Sequence, residues 1–333
     1  MKAVYINDFG SIDGLGLREV EMPASPSPSQ VLVRVHAAGI NRADLLQARG
    51  LYPPPSGYSP NIPGLEFAGE IVEAGSDVTA FAAGARVFGI TAGEAQAEYL
   101  LTDAAIVTEI PDNLSYTEAA CVPEAFITAH DAIVTLGGLS AGENLLIHAA
   151  GSGVGLAALQ VAKAEKARVV ATSRTPGKLE RCREFGTDAS IAVTEPNAFA
   201  DQVFALTEGR GADVILDLVG GAYFGQNLAS LAPKGRLILV GLTSGRTAEI
   251  DMGIVLRKRA TIIGTVLRAR STEEKAAATQ KFADDLIPLF AAGTIKPNLD
   301  RVLAAENVVD AYRYLASNRS FGKVVLAFSG TQT

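Results

Sequence analysis

In the first third of the chain, short apolar and β-branched runs such as VLVRVHAAGI (31–40), EFAGEIVEAG (66–75) and ARVFGI (85–90) are punctuated by glycine and proline. Runs of that length, broken in that way, predict a small, largely antiparallel β domain. After Phe126 the rhythm changes. NLLIHAA (144–150), ARVVATS (167–173), DVILDLV (213–219) and GRLILVG (235–241) are apolar almost throughout and are separated by helical stretches. Strands without a polar face are buried on both sides, so this alternation predicts a parallel sheet covered by helices. Helical patterns fall at 154–165 and 176–185, the second with Pro176 in its first turn and Gly186 at its end.

The strand ATIIGTVL (260–267) is followed by a long helix over 271–292, then a strand, a helix and a terminal strand GKVVLAF (322–328). Periodicity leaves open whether this tail extends the second sheet or returns to the first domain. A chain of 333 residues is long for one hydrophobic core, which agrees with two domains. PASPSPS (23–29) reads as an exposed, extended connection.

With 48% of residues apolar and 20% charged, the chain is globular rather than disordered. A formal net charge of -7 argues against a nucleic-acid or anionic-membrane surface, so any phosphate must be bound by a specific site. Cys121 and Cys182 are too few for a disulfide framework or a cysteine-rich zinc lobe and read as packing residues. No stretch approaches the ~20 apolar residues of a membrane span, and the opening MKAVYINDFGSIDG lacks a secretory pattern, so a cytoplasmic protein is expected.

The segment HAAGSGVGLAALQVAKA (148–164) leaves a predicted strand and opens a helix. There, glycines let backbone N–H groups approach a pyrophosphate at a helix N-terminus. Gly151, Ser152, Gly153, Val154 and Gly155 form the candidate turn, although its spacing departs from a strict G-x-G-x-x-G. NAD-binding folds place a carboxylate at the end of the next strand, against the adenine ribose 2′-hydroxyl. Here that strand ends in Thr172, Ser173 and Arg174, with Lys178 a turn later. A hydroxyl, a guanidinium and an ammonium favour a 2′-phosphate that a carboxylate would repel, so the expected cofactor is NADPH.

Stretches along the whole chain carry a family resemblance: AGINRADLLQARGLYPPP (38–55), IPGLEFAGEI (62–71), VPEAFITAHDAI (122–133), LLIHAAGSGVGLAALQ (145–160), ILDLVGG (215–221) and SNRSFGKVVL (317–326). The chain resembles the zinc-independent quinone oxidoreductases of the medium-chain dehydrogenase/reductase superfamily, the zeta-crystallin group, and within it the tumour-suppressor-inducible branch. The resemblance implies an α/β fold. A Rossmann domain with a doubly wound parallel sheet (125–267) would join a mainly antiparallel, GroES-like catalytic domain made discontinuous by the returning tail (1–124 and 268–333). It also implies NADPH in a cleft between the domains, and a homodimer through the nucleotide-domain sheet edge near residues 260–267.

Zinc-dependent relatives carry a Cys in the segment matching AGINRAD and a His in the one matching PGLEFAG. Gly39 to Asn41 and Leu65 stand there, so no metal is expected. One departure concerns the cofactor: relatives often contact the 2′-phosphate with a Tyr in the region matching GTDASIAVTE (186–195), which has none.

By the same resemblance, Asn41 would donate a hydrogen bond to the acceptor or cofactor and Tyr52 would stack or bond near the nicotinamide. Asp44 would orient Asn41 or relay a proton. Thr128 would touch the nicotinamide ribose, Gly241 and Leu242 would end the strand beneath the ring, and Asn318 would approach from the tail. The plainer alternatives are a loop-capping Asn41, a core Tyr52, a helix-dipole carboxylate at Asp44, turn or strand-end positions at Thr128, Gly241 and Leu242, and a helix C-cap at Asn318. Glu66 is a structural remnant or a partner for a cleft cation, and His148, inside an apolar run, reads as a satisfied core histidine.

The implied activity is NADPH-dependent reduction of quinones, with positioning rather than an activated nucleophile doing the chemistry. Two alternatives stand beside it. One is reduction of an activated C=C bond in an enal, enone or enoyl thioester, which needs proton delivery to carbon. The other is a mainly non-enzymatic NADPH-binding role, as a lens structural or RNA-binding protein, which the acidic balance disfavours for RNA.

Overall fold

The early β-branched runs become strands of a computed structural model that describes residues 1–195 and 198–328. β1 (Lys2–Ile6) and β2 (Leu15–Glu19) form an antiparallel ribbon. β3 (Gln30–Ile40) leads through Asn41 into α1 (Arg42–Ala48). β4 (Glu66–Ala74), β5 (Arg86–Ile90), β6 (Tyr99–Asp103) and β7 (Val107–Glu109) follow, then the single turn α2 (Tyr116–Ala119). Val31, Val33, Val35, Phe67, Ile71 and Val87 from alternate strand positions make one apolar core.

Beyond Ile127 the central strands at 144–147, 168–173 and 212–217 are buried almost throughout, as their composition requires. The order is α3 (Thr128–His130), β8 (Asn144–Ile147), α4 (Gly153–Ala164), β9 (Arg168–Ser173), α5 (Pro176–Cys182), β10 (Ala189–Ala192), α6 (Ala200–Leu206), β11 (Ala212–Asp217), α7 (Phe224–Ser230), β12 (Leu231–Leu239), α8 (Met252–Lys258) and β13 (Thr261–Gly264). All pairings in this sheet are parallel, in the order β10-β9-β8-β11-β12-β13.

The open question of the tail resolves by pairing. After α9 (Thr272–Ala291), β14 (Leu299–Ala304) and α10 (Val308–Ala316), the strand β15 (Lys323–Ala327) pairs antiparallel with β3. The first sheet reads β14-β15-β3-β4-β5-β7, with β6 also on β3. One compact unit therefore comprises Met1–Ile127 with the segment from Leu267 onward, and the other is Thr128–Val266.

Three strands differ from their sequence patterns for local reasons. The run 144–150 leaves strand geometry after Ile147, because Ala149 turns to a φ of 50°. The run 213–219 stops at Asp217, whose carboxylate accepts the Val219 and Gly220 N–H groups at 2.8 and 2.9 Å and bends the chain. The run 235–241 begins earlier, at Leu231, and stops at Leu239. Among the described residues one helical stretch, Tyr116–Leu136, is long and apolar enough to cross a membrane by length and composition, which the unbroken-run criterion overlooked. It is 72% buried inside the fold, as a core helix is.

Candidate functional site

In the second unit the strand order reverses between β8 and β11. Loops leaving the carboxyl ends of the two central strands diverge at such a point and open a crevice. The loop from β8 runs into α4, whose N-cap Ser152 accepts the Gly155 N–H at 3.1 Å. Leu156 N–H donates to the Ser152 carbonyl at 2.9 Å. The Val154 N–H has no protein acceptor among the described residues, as expected in a first helical turn. Gly155 is dictated by space: a Cβ there would sit 2.6 Å from the Ala150 carbonyl oxygen and 2.7 Å from that of Ala149. The turn can thus close only around glycine, which leaves a twelve-residue helix with its positive end at the crevice.

At the end of β9, Ser173 Oγ accepts the Thr175 N–H at 3.1 Å, so its own hydrogen remains to be donated. Arg174 is exposed and Lys178 half-buried. Burial pushes the Tyr223 phenol up while Arg174 opposes the shift, which places the guanidinium within electrostatic reach of that ring. The ends of β11 and β12 are locked together: Gly241 N–H donates to the Asp217 carbonyl at 3.1 Å, and a Cβ on Gly241 would meet the Leu218 carbonyl oxygen at 2.7 Å. Leu242 follows, 51% exposed.

Beneath this rim lies a buried polar chain. His148 Nδ1 is 2.8 Å from Thr172 Oγ1 and its Nε2 is 2.6 Å from Asn227 Oδ1, while Asn227 Nδ2 donates to Asp217 Oδ2 at 3.0 Å. Because the asparagine turns its amide hydrogens to Asp217, its oxygen must accept, so His148 carries its proton on Nε2 and accepts from the threonine hydroxyl. Burial lowers the His148 pKa, consistent with a neutral ring. This histidine ties β8 to β9 and α7.

The first unit holds a second polar cluster. Asp44, in the first turn of α1, is fully buried and accepts the Asn41 N–H at 2.7 Å and the Gly64 N–H at 3.0 Å. Burial raises its pKa to about 6. Glu66 pairs with Lys323 at 2.5 Å, the two side chains being 0% and 4% exposed. Asn41 bridges them: its Nδ2 donates to Glu66 Oε1 at 2.8 Å and its Oδ1 accepts from Lys323 Nζ at 2.5 Å. Lys323 also donates to the Ile40 carbonyl at 3.0 Å. Arg268 lies 5.0 Å from the centroid of the Tyr52 ring. It donates to the Ala92 carbonyl at 2.8 Å, the Tyr52 carbonyl at 2.9 Å and Gln47 Oε1 at 2.5 Å.

The candidate residues thus fall into two groups. Asn41, Asp44 and Tyr52 gather in the first unit, with one Asn41 amide hydrogen left beyond the Glu66 bond. Gly151 to Gly155, Ser173, Arg174, Lys178, Gly241 and Leu242 ring the carboxyl edge of the second sheet. Thr128 opens the second unit. Asn318 stands just past α10 at a φ of 59°, exposed, and accepts a hydrogen bond from Arg42, a helix-ending geometry. Glu66 has a cation partner, but it is the buried Lys323 rather than a cation lining a cleft.

Lys323, Glu124 and Arg268 were not singled out from the sequence. All three are ionisable groups close to or inside apolar runs, GKVVLAF, VPEAFITAH and TIIGTVLRAR, and groups so placed are either partnered or neutral when folded. The space around Gly39 bears on metal binding: a Cβ would lie 2.3 Å from Glu66 Oε1 and 2.7 Å from the Ala120 carbonyl oxygen. Among the described residues no group of three or more His, Cys, Asp or Glu side chains is gathered as a metal site.

A parallel sheet reversing at β8 and β11, a glycine-dependent turn into a helix there, and a second, mainly antiparallel sheet define a two-domain nucleotide-binding dehydrogenase. Family comparisons agree. Residues 27–131 match the alcohol dehydrogenase GroES-like domain family, and residues 153–283 match the zinc-binding dehydrogenase family. Quinone oxidoreductase-like protein 2 of Mus musculus is 32% identical over 316 residues, 94% of this chain and 89% of its own length. Among solved structures, Escherichia coli quinone oxidoreductase complexed with NADPH superposes with a TM-score of 0.88 at 26% identity, covering 98% of this chain and 100% of that one. The CurK enoyl reductase does so with a TM-score of 0.86 at 27% identity, covering 98% and 99%.

The chain belongs to the quinone oxidoreductase family of the medium-chain dehydrogenase/reductase superfamily. It is accordingly an oxidoreductase with a Rossmann-like sheet, a GroES-like unit and a nicotinamide cofactor.

Proposed function

We propose that this oxidoreductase takes NADPH and, without zinc, reduces quinones. The observation that carries the cofactor choice is the end of β9, where Ser173 and Arg174 occupy the place of a carboxylate and Lys178 follows in α5. The α4 N-terminus and the backbone around Gly155 fit the pyrophosphate. When bound, the dinucleotide supplies the hydride, while the protein orients it and excludes water.

Zinc independence rests on Asn41 and Leu65 at the ligand-bearing segments and on the crowding at Gly39. Homodimerisation is proposed through β13, the last strand of its sheet, where Ile262 is 37% and nearby Val266 49% exposed. An unpaired apolar edge of this kind is a ready template for a second copy.

The test is NADPH and NADH oxidation with a panel of ortho- and para-quinones and conjugated enones, in wild type and Arg174→Ala. Arg174→Ala should raise the NADPH KM about tenfold, ~1.4 kcal/mol, with little change for NADH. Equal effects on both cofactors refute the 2′-phosphate assignment. Turnover confined to enones moves the chemistry to alkene reduction, a second reading that the similarity to an enoyl reductase favours.

A further inference from the structure

Glu124 opens the helical segment after Pro123, and the hydrogen-bond network described above does not use its carboxyl group. Its backbone N–H donates to Glu66 Oε2 at 2.9 Å, which seats the residue against the Glu66–Lys323 pair. The charged groups around it come from every neighbouring element: Asp44 on α1, Glu66 on β4, Lys323 on β15, Arg268 before α9 and Lys275 on α9. Tyr52 is in electrostatic reach as well.

Every nearby cation is committed elsewhere. Lys323 spends its donors on Glu66, Asn41 and the Ile40 carbonyl, Arg268 donates to Ala92, Tyr52 and Gln47, and Lys275 donates to the Arg270 carbonyl at 2.8 Å. Among the described residues no hydrogen bond ends on the Glu124 carboxyl, and the residue keeps partial access to solvent. A carboxyl with two acidic neighbours and no donors of its own favours the neutral acid. Burial and Glu66 raise its pKa to about 8.

We propose that Glu124 is the proton donor of the reduction, acting on an acceptor bound beside Tyr52. This rests on the reductase reading above. The nicotinamide dinucleotide supplies the hydride, two electrons and one proton, and leaves oxidised. The Glu124 O–H bond breaks as an O–H bond forms on the reduced quinone, or a C–H bond forms at the α-carbon of an enone. The carboxylate left behind takes a proton back from water. Carbon is protonated slowly by solvent and oxygen quickly, so dependence on Glu124 is greater for the enone.

Two measurements on the full-length protein decide the matter. The first needs no turnover: glutamate side-chain carboxyl carbons are followed by NMR from pH 5 to 10, in wild type and Glu124→Gln. A carboxyl titrating near pH 8 in wild type and missing from the variant is expected. Glutamates that all titrate below pH 6 would overturn the proposal.

The second is the pH dependence of kcat with NADPH and a conjugated enone. Wild-type kcat should fall as pH rises through about 8, since the acid form is the active one. Glu124→Gln should lower kcat about a hundredfold at neutral pH and abolish that fall, while NADPH binding stays within about twofold. Glu124→Asp should restore part of the rate and the pH dependence. An active wild type with an equally active Glu124→Gln sinks the donor role alone. A wild type that binds NADPH yet reduces neither quinone nor enone sinks the reductase reading, and the donor role with it.

Discussion

Replacing Lys323 by methionine tests whether the first unit is built around its buried ion pair. Methionine keeps the length and apolar stem of lysine while deleting the charge. Glu66 would then lose its cation at 2.5 Å, Asn41 Oδ1 its donor, and the Ile40 carbonyl a bond of 3.0 Å, around a pair whose Glu66 and Lys323 side chains are 0% and 4% exposed. Removing one partner from a buried pair typically costs about 3 to 5 kcal/mol, because the other charge stays desolvated. With a urea m-value of about 2 kcal/mol per molar, that moves the midpoint down by roughly 2 M.

The chain has no tryptophan, so the transition is best followed by far-ultraviolet circular dichroism, with amide exchange on β3 and β15 to assign the loss to the first unit. Removing both charges in Lys323→Met/Glu66→Gln should recover about half of the loss, leaving the double variant far more stable than the sum of the two singles. A single variant within about 1 kcal/mol of wild type, or a double variant less stable than the sum of the singles, refutes the reasoning.

Glu124 carries a stability signature of opposite pH sense to most carboxylates. Its folded pKa lies above the unfolded one, so the contribution is full below the ordinary glutamate range and is lost as pH rises through about 8. Glu124→Gln should therefore gain several kcal/mol on wild type between pH 5 and 9 in urea unfolding; a constant difference across that range contradicts the reading. Asp44 behaves likewise over a lower window, ending near pH 6, so Asp44→Asn should change the pH slope of stability mainly below neutrality. Gly155→Ala places a Cβ 2.6 Å from a backbone oxygen that cannot swing away. It should weaken dinucleotide binding at least tenfold by calorimetry and destabilise the second unit by about 1 to 3 kcal/mol, and unchanged binding would show that the turn can open.

Much of the fold was legible because its signals are local. The fully apolar runs around Leu145, Val169, Ile215 and Leu237 can be buried only in a two-sided parallel sheet, and β8, β9, β11 and β12 are those runs. The Pro176 start and Gly186 stop bracket α5 and the turn that continues it. Gly155 and Ser173 were legible for the same reason, since each sits where a strand meets a helix start. The polar cluster of the first unit was not. Asn41 and Lys323 are 282 positions apart, and Arg268 and Gln47 are 221 apart. Lys323 alone, in GKVVLAF, announces only that something must meet it.

The sequence by itself determined the alternation of apolar strands and helices in the second unit, where the glycine turn falls, and that no carboxylate ends β9, because spacing and residue type act within a few positions. Tertiary structure decided the return of the tail onto β3, the ion pair that holds Asn41, and the donor-poor setting of Glu124. Those depend on closing loops of tens to hundreds of residues, and on burial that leaves each charge only the partners the fold brings to it.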